Sequence, residues 1–348
     1  MRVYCKYPNT VVVLPRERIR RYYQSGWHRF ELQDWPFLKM TNHQGDNWRR
    51  ATWAEAASGD TALMVRDAGL GDLLRLTPTL REVAARGVRI TLATYAKFMD
   101  LFWGNPHVHK LVSFPESTHP SFSEIDTDFT FDLLFAVDSY EDRATRLESR
   151  IDRFGVKVLG RPPADKSLVF VQNPEAQQFA DDLLAPLEGK PFVAFSSRSW
   201  ANWLRGWLPE YYAPTAHLLA EAGYISVYVG SPGKESGEGF YDLRGRTSSS
   251  CQQLAGVLNR AKALISPDTG TLHLGEATST PTVGLFGNTD PREVIEHYKH
   301  VIPISKNDEI GCPPCMLHQG NCFRCMEAIK PEEVAETVLG LVGSTAAA

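Results

Sequence analysis

Short, wholly apolar runs alternate along this chain with longer segments whose apolar positions recur every third or fourth residue. Residues 62–65 (Ala-Leu-Met-Val) form a continuous apolar run, as expected of a strand covered on both faces. Leu73, Leu76, Leu80, Val83 and Ala84 then mark one stripe of a helix over 73–86. Strands are expected at 88–94, 108–114 and 131–137. A helical, acid-bearing stretch over 174–187 leads to Gly189-Lys190-Pro191, and there the rhythm restarts. Strands at 192–195, 224–230, 263–265 and 282–286 alternate with helices at 209–222, 248–260 and 272–278. Such alternation implies parallel sheets joined by right-handed crossovers. The restart divides the chain into two α/β lobes facing a central cleft. Residues 1–50 follow a different pattern, with β-prone runs at 10–14 and 28–32 among the turn-formers Gly26, Asn42, Gly45 and Asp46. The expected division is a β-rich extension over 1–58, a first lobe over 59–175 and a second over 176–348.

Composition agrees with that division. The chain has 348 residues, room for two domains and a remainder. It is 43% hydrophobic and 22% charged, which argues against wholesale disorder. No apolar run approaches the ~20 residues of a membrane span. The start lacks the basic-then-apolar order of a secretory signal, so the expected location is the cytoplasm. Net charge is −4, yet residues 1–50 carry ten Lys and Arg against four acids. The extension is therefore basic and the remainder acidic, which excludes a polyanionic partner for residues 51–348. Basic charge interleaved with Tyr22, Tyr23, Trp27 and Phe30 leaves single-stranded nucleic acid open for the extension. Self-association through a folded β appendage is the simpler use.

Four polar loops follow buried strands. The first holds Gly69-Leu70-Gly71-Asp72. Its two glycines allow a tight turn and close approach of another molecule. Leu74 stands where the dinucleotide fingerprint needs a third glycine, so that reading fails. Asp72 is either a helix-capping residue or a catalytic carboxylate at the carboxyl edge of a parallel sheet. The second loop, Ser266-Pro267-Asp268-Thr269-Gly270-Thr271-Leu272-His273, joins a strand to a helix start, where free N–H groups attract a phosphate or pyrophosphate. His273 on the first turn faces that anion or the core. The third, Gly287-Asn288-Thr289-Asp290-Pro291, lies one βα unit later at the same edge, and proline in the first turn makes it a sound helix start without any function. The fourth, Ser196-Ser197-Arg198-Ser199-Trp200 followed by Arg205-Gly206-Trp207, supplies hydroxyls and arginines for an anion clamp or an ordinary solvated surface.

The cysteines are unevenly spread, with Cys312, Cys315, Cys322 and Cys325 in one short segment out of six in all. Two C-x-x-C pairs are the knuckles of tetrahedral zinc or iron sites. Reduced buried thiols and a redox pair are the alternatives, and His318 between the pairs is a substitute ligand. Four ligands leave no open position, so the metal would be structural.

Taken in order, Gly69-Leu70-Gly71-Asp72 with Leu76-Thr77-Pro78, Asp268-Thr269-Gly270 with His273, and Pro281-Thr282-Val283 with Leu285-Phe286-Gly287 resemble glycosyltransferase family 9. This is the family of ADP-heptose heptosyltransferases. The 312–325 segment and the helix start over 329–334 are similar to that family's tail, and the likeness spans about 60–340. It implies the GT-B fold, two Rossmann-like doubly wound lobes with acceptor on the first and nucleotide-sugar on the second. It also implies metal-independent, inverting transfer from an ADP-heptose-like donor. Asp72 matches the general base. Thr269 and Gly270 match the donor pyrophosphate loop, flanked by Asp268 and His273, and Ser197 and Asn288 join the donor set at the same edge. Arg205 stands where the family has a lysine before tryptophan, keeping the charge with different geometry. The autotransporter branch is similar in its N-terminal β extension, its cysteine-held iron finger, its protein acceptors and its homo-oligomers. The implied acceptor is a glycan or a protein hydroxyl. The rival readings are a non-catalytic nucleotide-binding assembly module and a glycosyltransferase acting on nucleic acid.

Overall fold

The computed structural model describes residues 3–7, 10–13, 38–40, 48–50, 56–66, 69–114, 127–133, 149–196, 205–233, 235–312, 314 and 322–346. The chain divides into two compact units. One comprises Met1–Ala68, Arg75–Met99 and Asn105–Lys166, and the other Gly69–Leu74, Asp100–Gly104 and Ser167–Ala348. The changeover at 166/167 precedes the expected boundary at 175/176.

In the first unit, β1 (Val3–Tyr7) and β2 (Thr10–Val13) pair as a separate antiparallel ribbon. The unit's main sheet has six strands. Its parallel part runs β7 (Lys110–Phe114), β6 (Arg89–Tyr95), β5 (Thr61–Val65), β8 (Phe129–Asp132). Beyond β8, β3 (Leu38–Met40) and β4 (Trp48–Arg50) add antiparallel strands. Part of the basic N-terminal region thus extends this sheet. Ala62, Leu63, Met64 and Val65 are all buried, which is why the run reads as continuously apolar. Helix α1 (Leu70–Ala85) follows β5 and buries Leu73, Leu76, Leu80 and Val83. Helix α2 (Arg150–Leu159) lies outside the expected elements, although Ile151, Phe154, Val158 and Leu159 form a clear stripe. Ser149 caps its start by accepting from Ile151 N–H, and Gly160 ends it at φ +75°.

The second unit is a six-stranded parallel sheet ordered β11-β10-β9-β12-β13-β14. Here β9 is Phe192–Ser196, β10 Ile225–Val229 and β11 Phe240–Asp242. The other side holds β12 (Ala263–Pro267), β13 (Thr282–Phe286) and β14 (Val301–Ser305). Numbered from β9, this is the doubly wound order 3-2-1-4-5-6, and its switch point falls between β9 and β12. The expectation omitted both outer strands: β11 is short, and Pro303 interrupts β14's apolar pattern. Helices are α3 (Pro174–Leu184), α4 (Pro209–Glu221), α5 (Cys251–Leu258), α6 (Gly270–Ala277), α7 (Pro291–Ile295), α8 (Arg324–Ala328) and α9 (Pro331–Ala346).

One core cluster unites Val193, Phe195, Trp207, Tyr212 and Tyr228 with Met326, Val334 and Val338 of the tail helices. Trp207 Nε1 donates to Ile329 C=O at 3.0 Å, satisfying the ring's one polar atom in a dry setting. Tyr228 stacks on Phe240 at 3.8 Å, and the Arg244 guanidinium lies 4.2 Å from its ring centre. Burial pushes the Tyr228 hydroxyl well above its ordinary range, with Glu235 adding to the rise. Gln252 is a second organising residue, almost fully buried. Its Nε2 donates to Asp100 C=O at 3.1 Å and Val171 C=O at 3.0 Å, while its Oε1 accepts from Asn173 N–H at 2.8 Å. Asp100 Oδ2 also accepts from Ser250 Oγ at 2.7 Å, so residues 100–104 are sewn to the start of α5.

Candidate active site

The site is built at the carboxyl edge of the second unit's sheet, around its switch point. Pro267 ends β12 and a polar turn follows. Thr269 is extended at φ −134° and occupies the N-cap of α6 without capping it. Its Oγ1 lies instead 3.2 Å from Ser266 Oγ and 3.4 Å from Ser196 Oγ, the latter at the end of β9. These hydroxyls tie β9 to β12 across the switch point. With no side-chain cap on its first turn, α6 offers N–H groups and the positive end of its dipole to an anion.

Asp268 is buried between two cationic or polar partners. Arg205 Nη1 lies 3.4 Å from Oδ2, and His273 Nε2 lies 3.6 Å from Oδ1. A buried carboxylate needs such company, because taking an unpaired charge from water is costly. Arg205 is a quarter exposed, and its Nε is buried with no hydrogen-bond partner among the described residues. The guanidinium therefore retains donor capacity beyond Asp268. His273 is buried, with Nδ1 2.7 Å from Tyr298 Oη.

Beside this loop lies the glycine turn that precedes α1. Leu70 Cβ is 3.2 Å from the place a Cβ on Gly270 would occupy. A Cβ on Gly71 would collide with Cδ2 of the His273 imidazole and lie 2.7 Å from its Nε2. Gly71 has no left-handed φ, so the requirement there is space and not backbone freedom. Two motifs about two hundred residues apart are thus in contact. Asp72 sits half-buried in the first turn of α1, three residues past Gly69, and its N–H donates to Gly69 C=O at 3.0 Å. It occupies the third helical position and not the cap, where a carboxylate favours the dipole by about 0.3–1 kcal/mol.

The loop after β13 completes the edge. Asp290 caps α7 by accepting from Arg292 N–H at 2.8 Å, with Pro291 at the first helical position. Burial works to raise the Asp290 carboxyl, but the Arg292 hydrogen bonds and charge outweigh it and hold the group below the ordinary range. Both ends of the Asn288 amide, and the Thr289 hydroxyl, are buried without hydrogen-bond partners among the described residues. Such orphans are uncommon in native interiors and mark places where a further polar group is accommodated.

Gly287 is pressed by the cysteine segment. A Cβ there would lie 2.7 Å from Cys325 Sγ and 2.8 Å from Met326 Cγ. Asn307 Nδ2 donates to Gly287 C=O at 2.7 Å, and Cys312 N–H donates to Asn307 C=O at 2.9 Å. Cys312, Cys322 and Cys325 are respectively half-buried, exposed and buried. Their sulfurs are not gathered within 4.8 Å of one another. Cys315 and Ser197 lie outside the described residues. No helix among the described residues is long and apolar enough to cross a membrane.

The structure brings together Gly71, Asp72, Arg205, Asp268, Thr269, Gly270 and His273. Ser266 and Tyr298 were not singled out. Ser266 lay within a quoted loop, where its packing against Thr269 has no spacing signal. Tyr298 belongs to no motif.

Two doubly wound units, the second with an uncapped helix start and buried polar orphans at its switch point, define the GT-B class. The sequence profile of glycosyltransferase family 9 (heptosyltransferase) matches residues 154–325. Over residues 154–325 the chain is thus similar to that family. Lipopolysaccharide heptosyltransferase 1 of Escherichia coli is 34% identical over 91 residues, 24% of this chain. The chain spans only 28% of that curated relative's length. Among solved structures, the family 9 glycosyl transferase of Veillonella parvula superposes with TM-score 0.65 at 17% identity, covering 82% of this chain and 98% of that one. The iron-containing dodecameric glycosyltransferase TibC of enterotoxigenic E. coli gives TM-score 0.61 at 16% identity, covering 86% of this chain and 79% of that one.

Proposed function

We propose that this protein is a heptosyltransferase-type enzyme that moves a sugar from a nucleotide diphosphate to an acceptor hydroxyl on a glycan or protein. The observation that carries this reading is the packing of the Gly69–Asp72 turn against the uncapped Thr269–His273 helix start. One half supplies a carboxylate and the other an anion site. The donor class is supported by TibC, a structure of which is described in complex with ADP-D-β-D-heptose.

In this mechanism Asp72 accepts the proton of the acceptor hydroxyl, raising the nucleophilicity of an oxygen that is weak at neutral pH. That oxygen attacks the anomeric carbon as the bond to the diphosphate breaks, so configuration inverts in a single displacement. The departing diphosphate develops negative charge. The α6 N–H groups, the Thr269 hydroxyl and Arg205 stabilise it, and they supply the positive potential without a metal. Asp268 holds Arg205 in place, and Gly270, His273 and Asn288 line the donor side. No step runs through the cysteine segment, whose part is to buttress Gly287. The location is cytoplasmic, and the extension mediates self-association; a monomer by light scattering removes that last element.

Nucleotide release from ADP-heptose and from ADP-, GDP-, UDP- and CDP-hexoses tests the reading. Turnover of one donor, lost about a hundredfold or more in Asp72→Asn with fold retained, is expected. Absence of turnover with every donor and acceptor pair, or an active Asp72→Asn, overturns it.

A further inference from the structure

Every side chain in the proposed mechanism has a motif behind it except the one that touches His273. Tyr298 follows α7, its N–H donating to Ile295 C=O at 2.9 Å. Its ring packs against the cluster of Leu272, Phe286, Val294 and Ile295. From that anchored position Oη reaches Nδ1 of His273 at 2.7 Å, and the two rings meet edge-on at 89° with centres 5.7 Å apart.

Two neighbours at the opposite edge of the imidazole bear on its protonation. Nε2 faces the Asp268 carboxylate at 3.6 Å, and the Cδ2–Nε2 edge fills the space that a side chain at position 71 would need. A bare nitrogen lone pair facing a buried carboxylate would be repelled. A proton on Nε2 makes that contact attractive, although 3.6 Å is a charge–dipole approach and not a full hydrogen bond. With Nε2 protonated in the neutral ring, Nδ1 is the acceptor and Tyr298 O–H the donor.

We propose that Tyr298 is a positioning residue: its hydroxyl fixes His273 as the Nε2-protonated tautomer, and that ring simultaneously orients Asp268 on the donor loop and wedges the Gly71 turn carrying Asp72. A single imidazole then sets the spacing between the anion site and the base. The geometry stands on its own, while its catalytic consequence rests on the sugar-transfer reading. Tyr298→Phe keeps the edge-on ring and removes only the hydroxyl, which frees the tautomer and the tilt of the ring. A misplacement of under 1 Å between reacting groups costs on the order of tenfold in kcat.

The test uses the full-length chain in two arms. Two-bond proton–nitrogen spectra of ¹⁵N-labelled histidines, assigned with His273→Gln, read the tautomer. The wild type is expected to show a neutral ring protonated at Nε2, and Tyr298→Phe to lose that pattern. Turnover of the active donor is expected to show kcat falling about tenfold with the melting temperature nearly unchanged. A residue that only stabilises the fold would lower the melting temperature and leave tautomer and kcat alone. Protonation at Nδ1 or at both nitrogens in the wild type overturns the proposal. So does an unchanged tautomer or an unchanged kcat in Tyr298→Phe. A wild-type chain that turns over no donor defeats the sugar-transfer reading, and the spectra still decide the tautomer.

Discussion

Gly71→Ala isolates the contact on which the proposed site depends. The added methyl would meet the His273 ring at Cδ2, with Nε2 2.7 Å and Cγ 3.0 Å away. That ring is not the free end of a flexible chain, because it is buried, tied to Tyr298 and beside Asp268. Relief must come from moving the ring or the start of α1. Overpacking of this kind costs about 1–3 kcal/mol. Alanine also gains about 1 kcal/mol over glycine in a helix, so the net loss is about 0–2 kcal/mol. At about 2–4 °C per kcal/mol for a unit of this size, the melting temperature falls by roughly 0–8 °C. Activity is far more sensitive, since a shift approaching 1 Å between base and anion site removes about a hundredfold from kcat/KM. Gly340→Ala, on the exposed face of α9 with nothing within 4 Å of the new methyl, is the matched control. It gains up to about 1 kcal/mol and keeps full activity. Thermal denaturation and donor turnover measured on the same preparations give both quantities. Equal activity in Gly71→Ala and Gly340→Ala would refute the wedge and the spatial argument built on it.

Gln252→Ala removes two donated bonds and two accepted ones from a buried junction. It is expected to cost about 3 kcal/mol, a fall of roughly 6–12 °C by calorimetry. A hydrogen bond from Arg244 holds the Asp242 carboxyl below its ordinary value of 3.8, against the opposing effect of burial. Its stabilising contribution is complete above pH 3.8 and is lost as pH falls through the lower folded value. The melting-temperature gap between wild type and Asp242→Asn is therefore expected to stay level from pH 7 to about 4 and to close below it. Burial and the neighbouring Asp100 carboxylate push the Cys251 thiol well above its ordinary range. Mass spectrometry after brief disulfide-reagent treatment at pH 8 is expected to find exposed Cys322 modified first and Cys251 only on unfolding.

The periodic pattern was most informative where burial is simplest. β5, β9 and β13 are covered on both faces and read as unbroken apolar runs. The three central βα loops announced themselves through glycine, proline and hydroxyl residues. β11 and β14 escaped because edge strands need no such run, and β14 carries two exposed positions and a proline. Helix α2 was legible in principle, with its stripe and serine cap, although two arginines and a lysine interrupt its apolar pattern. At the site, spacing could name Gly71 and His273 separately but not their contact. That contact belongs to the tertiary packing of the second unit. Tyr298 had no sequence signal because a tyrosine's hydroxyl declares its partner only in three dimensions. The cysteine spacing raised a metal site, of which Cys315 lies outside the described residues, while the packing of Cys325 against Gly287 had no signal in that spacing.

The second unit does not begin at residue 167 in any sense that scissors could respect. It includes Gly69–Leu74 and Asp100–Gly104, two short loans from the front of the chain. A fragment starting at 167 would leave Ser250 without Asp100, Gln252 without one of its carbonyls, and the His273 ring facing a hole where Gly71 had been. Domain-dissection work would then report poor nucleotide affinity and a low melting point, and both would be artefacts of the cut. The same threading bears on folding: residues 167–348 cannot complete this packing from their own continuous sequence and draw on segments made long before them.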